Sequence, residues 1–211
     1  MNRYLASPKQ RLIDVIMGGI KDGEIIPYDP AATRDNPGGD AITKRFTAAQ
    51  ARNSLADSSV VDKFDKDGNK IGSTLKAGEF NPDSVVKFRI KEDWVYDKQR
   101  SVFEPRIMWI APLVKPSAAG LNLDYQPAFW IYFPQARRIF ANKEVQNGKN
   151  DAAALSYDDI FMKRLFSSYI IKFSNDKDER VSDHAQGTDR LIEADRLKKA
   201  LMEWELNLWK E

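Results

Sequence analysis

Residues 86–114 read V-K-F-R-I-K-E-D-W-V-Y-D-K-Q-R-S-V-F-E-P-R-I-M-W-I-A-P-L-V, and the fold is decided by how that stretch is read. Phe88 and Ile90 alternate with Lys87, Arg89 and Lys91, and Trp94 and Tyr96 keep the same parity. Such a period of two belongs to a strand with one wet face. Asp97, Lys98, Gln99 and Arg100 interrupt it with four polar residues, and Ile107 to Ile110 then form a continuous apolar run. Two antiparallel strands joined by a short polar loop follow, the second buried on both faces. Pro105 has no N–H to give to a ladder, so it should mark an edge position or a bulge. A helix with Val86, Ile90 and Trp94 on one stripe competes, but the β-branched and aromatic content favours strands.

Working outward, Ser7-Pro8 is a helix opening followed by Leu12, Ile13, Ile16 and Ile20 at helical spacing, with Gly23 as the stop. Residues 26–40 hold three prolines and two glycines and read as an irregular loop, and the loop-rich stretch is taken to extend to 46. Thr47 and Gln50 have the spacing of a capping box opening a short helix toward Leu55. Residues 128–133, A-F-W-I-Y-F, make a third strand ended by Pro134, and 135–145 a helix. Trp109 and Trp130 read as core residues. Ser156 caps a helix that also carries Asp158 and Asp159 in its first turn. Its apolar residues, Ile160, Phe161, Met162, Leu165, Phe166, Tyr169 and Ile170, leave only a narrow polar stripe, so the helix should be covered on most sides. A charged loop over 174–187 precedes a last helix with Leu191, Ala194, Leu197, Leu201, Trp204 and Leu208 in one stripe. If that stripe is not covered within the subunit, the helix is the first candidate for a partner contact. The fold expected is α+β: a small, mainly antiparallel sheet built on the central hairpin, packed against helices near both ends, as one domain over 1–211.

Composition narrows function mostly by exclusion. The 211 residues carry 33 Lys plus Arg and 31 Asp plus Glu, a net charge of +2. Neither half is strongly basic or acidic, which argues against nucleic acid or an anionic membrane as the main partner. There is no cysteine, which removes disulfides, thiol chemistry and Cys-ligated metals. One histidine, His184, cannot build a His-based zinc site, and in a charged loop it reads as solvated. No phosphate-binding Gly loop and no G-x-S-x-G is present. No apolar run approaches the length of a membrane helix, and Met1-Asn2-Arg3-Tyr4-Leu5 lacks the apolar region of a secretory signal.

Two constellations have a chemical reading beside a structural one. Asp65, Asp67 and Asn69 occupy the first three ligand positions of a calcium loop. Lys70 stands where that loop needs glycine and Lys76 where it needs a bidentate Glu, so a tight turn within a β-hairpin over 58–78 is the expectation. Asp158 and Asp159 suggest acid–base chemistry, but helix capping explains them more simply. Catalytic, cofactor-binding and metal residues are therefore assigned to none, and partner-binding residues stay unassigned. A calcium-dependent binding module and an enzyme whose site assembles only on folding are the alternatives.

Longer runs carry a resemblance. R-I-K-E-D-W-V-Y-D-K-Q-R-S (89–101) with R-I-M-W-I-A-P-L (106–113), F-W-I-Y-F-P-Q-A-R (129–137) with N-G-K-N-D-A (147–152), and S-Y-D-D-I-F-M-K-R-L-F-S-S-Y-I-I-K (156–172) resemble the GldN/PorN family of the type IX secretion and gliding-motility apparatus. The opening R-L-I-D-V-I-M-G-G-I-K-D-G-E-I (11–25) and closing L-I-E-A-D-R-L-K-K-A-L-M-E-W-E (191–205) are similar too, and the likeness is weakest over 31–79. The resemblance implies a non-enzymatic periplasmic subunit that joins a GldK/PorK-like outer-membrane lipoprotein in a ring, self-associates in that ring, and contacts the GldM/PorM motor component. It supplies no catalytic residue and no cofactor. Family members carry a signal peptide and further residues ahead of the matching part, so this chain is expected to be a truncated form.

Overall fold

The computed structural model describes residues 10–31, 42–56, 58–64, 70–77, 80–115, 124–145 and 155–207, with the backbone alone for 58–64 and 70–77. In chain order the elements are α1 (Leu12–Lys21), β1 (Pro27–Tyr28), α2 (Ala48–Leu55), β2 (Ser58–Phe64) and β3 (Lys70–Ala77). Then come β4 (Lys87–Asp97), β5 (Val102–Val114), β6 (Gln126–Pro127), β7 (Trp130–Tyr132) and α3 (Phe133–Ala141). The last are β8 (Glu144–Val145), β9 (Leu155–Ser156), α4 (Tyr157–Met162), α5 (Val181–His184) and α6 (Asp189–Asn207). The main sheet runs β1-β7-β5-β4, with β6 also paired to β5. Every strand pairing whose register is resolved is antiparallel, so the fold is α+β as expected.

The 86–114 stretch forms the two adjoining long strands expected, but β4 does not show the expected single wet face, since Trp94, Val95 and Tyr96 are exposed alike. Ile110, Ala111, Pro112 and Leu113 are buried in succession, which is the two-sided burial expected of β5. Pro105 lies away from the β7 and β6 pairings, which engage Trp109, Ile110, Leu113 and Val114. Its missing N–H therefore breaks neither ladder. Asp97 closes the loop by accepting bonds from the backbone N–H of Gln99 (2.9 Å) and Arg100 (3.3 Å).

Contacts divide the chain into two compact units. The larger, Asn2–Glu92 with Ile107–Arg164, is called here the sheet unit; the smaller, Asp93–Arg106 with Leu165–Glu211, the tip unit. In the sheet unit, Phe133, Phe140, Tyr157 and Phe161 interlock from α3 and α4 with ring centroids 5.4–6.3 Å apart. Helix α1 approaches α3 closely because Gly19 has no side chain: a Cβ there would meet Ile139 Cδ1 at 2.8 Å and Ile25 Cδ1 at 2.7 Å. Trp130 is buried beside Ile42 and Ala111, while Trp109 is half-buried against Tyr28 and Tyr132. Trp109 is thus less of a core residue than its size suggests.

Local chemistry explains the boundaries. Gly23, at φ +75°, ends α1 in the left-handed conformation that glycine adopts without cost; Ser7-Pro8 lies outside the described residues. The Thr47 and Ser156 boxes are both formed, with Gln50 and Asp159 as their reciprocal partners. Three expectations are corrected. Pro27 and Tyr28 are not loop but an edge strand on β7, a place where proline costs no hydrogen bond. The third strand is shorter than 128–133, because Phe133-Pro134 already opens α3. The helix after Ser156 stops at Met162 instead of continuing past Tyr169. Arg164 leaves it at φ +50° and clasps Glu92 with two hydrogen bonds, 2.9 and 3.3 Å.

Candidate interaction surface

The paired acids flagged in the sequence, Asp158 and Asp159, both have ordinary structural tasks. Asp158 accepts Arg137 in a bidentate pair (2.8 and 3.0 Å), so it ties α4 to α3 rather than standing ready as an acid. Asp159 accepts the Ser156 N–H and hydroxyl and pairs with Lys163 at 2.9 Å. Lys163 first, then Ser156, hold its carboxyl down from 3.8 to about 2. Tyr157, fully buried, donates its hydroxyl to the Gln10 carbonyl, and burial raises its pKa. His184 is exposed, at the end of α5 instead of in a plain loop. Asp65, Asp67 and Asn69 lie outside the described residues, so the calcium loop is not placed. Among the described residues no group of three or more His, Cys, Asp or Glu is positioned to hold a metal.

One open groove of about 390 Å³ runs beside α1 and α3. Asp14, Asp22, Glu24, Asn142 and Lys143 line it with Gly18 and Gly19.

The tip unit is different in kind. Of the thirteen large apolar side chains exposed among the described residues, eleven belong to it, against three of the twenty-eight buried ones. Trp94 stacks on Phe103, and Phe103 meets Trp204 edge-on, each pair with centroids 4.9 Å apart. Yet Trp204 remains 53% exposed, Tyr169 59% and Ile192 67%. The loop from Lys172 to Arg180 is tightly made: Asn175 accepts from the Glu179 N–H and donates to the Phe173 and Glu179 carbonyls, and Lys172 pairs with Asp178 at 2.7 Å. Phe173, 44% exposed, is carried on this tied loop. Exposed apolar side chains gathered in one unit make it the candidate interaction surface.

The family model described as gliding motility associated protein GldN matches residues 1–210. The chain belongs to the GldN family. GldN proteins are components of the gliding-motility and type IX secretion machinery, and the expected family is confirmed over nearly the whole length. No curated protein matches this GldN chain. No helix of the described residues is long and apolar enough to cross a membrane.

The final helix meets the condition set for it as a candidate contact, since its stripe is incompletely covered: Leu191 is 54% and Trp204 53% exposed. Of its residues only Ala194 is buried, and Leu197 and Leu201 are half-covered. Reading the sequence for one stripe missed Ile192, Met202 and Leu206, which form a second, outward set. Their spacing was the available signal: they recur at helical intervals out of phase with Ala194 and Leu201. Tyr169 and Phe173 were missed as surface because a continuous helix had been expected to bury that segment.

Proposed function

We propose that this GldN chain is a non-enzymatic structural subunit acting in the periplasm. In this reading it joins a GldK/PorK-like outer-membrane lipoprotein in a ring and contacts the periplasmic part of a GldM/PorM-like motor protein. The observation that carries the reading is the uncovered apolar surface of the tip unit, where eleven large side chains stand exposed. A partner covering such a surface at roughly 1,000 Å² or more would gain what the unit does not bury by itself.

The test is a binding assay of the purified chain with the lipoprotein and, separately, with the motor protein's periplasmic domain. Binding to at least one is expected, weakened about tenfold or more by Tyr169→Asp or Trp204→Asp, the loss that follows from one central apolar contact. Failure to bind either partner, or binding indifferent to both substitutions, contradicts the proposal.

A further inference from the structure

The outward face of α6 is built to pair with itself. One residue turns an α-helix by about 100°, so Leu191, Ile192, Asp195, Lys199, Met202 and Leu206 fall on one strip of its surface. All six are exposed, whereas Ala194, Leu197 and Leu201 occupy the opposite side. The strip has an order: apolar at its start, an Asp195–Lys199 ion pair of 2.8 Å in its middle, apolar again at its end. In that pair both side chains stand well exposed, 59% and 70%, so each carboxylate and ammonium is reachable by a second partner.

Two copies of this strip laid antiparallel about a two-fold axis at the level of residue 197 match at the four residues Ile192, Asp195, Lys199 and Met202. Ile192 meets Met202 of the second copy, and Asp195 meets its Lys199. The same two contacts recur with the roles exchanged, the self-complementarity a two-fold interface requires. Leu191 and Leu206 flank the apolar contacts at either end. Parallel alignment would instead set Asp195 against Asp195 and Lys199 against Lys199, which like-charge repulsion disfavours. We infer that α6 is a self-association surface whose occupant is the α6 strip of a second copy of this chain, arranged antiparallel. The inference stands on the face of α6 alone and does not depend on the ring or on either proposed partner. One helix face is small beside a standard protein interface, so the pairing is a weak one that shows itself at high concentration.

Sedimentation velocity of the full chain, from low-micromolar to several-hundred-micromolar concentration, reads the pairing directly. A reversible monomer–dimer equilibrium is expected. Asp195→Lys should weaken it about tenfold or more by placing like charges opposite each other twice. The double variant Asp195→Lys with Lys199→Asp should restore it to within about threefold. Far-UV circular dichroism checks that each variant keeps its helix. Because the chain has no cysteine, a second measurement fixes the direction. Ile192→Cys mixed with Met202→Cys should form a disulfide-linked pair faster than either variant alone. A monomer at every concentration, an unchanged constant for Asp195→Lys, or fastest linkage of Ile192→Cys to itself would overturn the inference.

Discussion

Gly18 and Gly19 stand side by side in α1 and should answer the same substitution in opposite directions. A Cβ at Gly18 meets nothing within 4 Å, so Gly18→Ala gains only helix propensity, about 0.5–1 kcal/mol of added stability. A Cβ at Gly19 presses on Ile25 and Ile139 at under 3 Å. Overpacking of that kind costs roughly 1–3 kcal/mol, which exceeds the propensity gain, so Gly19→Ala should be destabilising. Urea unfolding of both variants decides it: the midpoints should move to either side of the wild type at unchanged slope. Asp159 gives a pH signature at the same scale. Its folded pKa, about 2, lies below the ordinary 3.8, chiefly through Lys163, so its contribution is present above about pH 4 and is lost as pH falls toward 2. Asp159→Asn should therefore lower stability at neutral pH and flatten the acid limb between pH 4 and 2. Thermal melts across that range, parallel for variant and wild type, would contradict the assignment.

At the scale of elements, Arg164 stands just past the point where a long apolar pattern leaves the helix. It sits at φ +50°, a conformation that costs a residue with a Cβ about 1 kcal/mol. Arg164→Ala keeps that strain and loses the Glu92 pair, whereas Arg164→Gly loses the pair and the strain together. Glycine should therefore be the more stable of the two by about 1 kcal/mol, read from their unfolding midpoints. Much at this scale was legible in the sequence. The capping boxes at Thr47 and Ser156 and the stop at Gly23 are local signals, and local hydrogen bonds fix them. The end of α4 was not legible, because Glu92 lies 72 residues from Arg164 and no window of sequence contains both. The outward strip of α6 was half legible: its apolar residues are plain, but which of two stripes faces inward is settled by tertiary contacts such as Trp204 on Phe103. The surface itself, Tyr169 and Phe173 included, followed from the mistaken helix and was hidden with it.

For the molecule as a whole, the two units differ in how much apolar surface they bury, and this should appear as a difference in opening. Local stability follows buried apolar contact. The sheet unit holds twenty-five of the twenty-eight buried hydrophobic residues found among the described residues. Amides of α3 and β7 should thus exchange slowly, and those of α5 and α6 markedly faster. Phe140→Ala, which opens the interlocked ring cluster, should cost about 3–5 kcal/mol and speed exchange throughout the sheet unit. The account rests on the tip unit being the part that other proteins cover. Hydrogen exchange on the chain, alone and with the lipoprotein or the motor protein's periplasmic domain, measures that most directly. New protection is expected over 94–96 and 165–207. Protection confined to 10–92 and 107–164, or absent altogether, would contradict it.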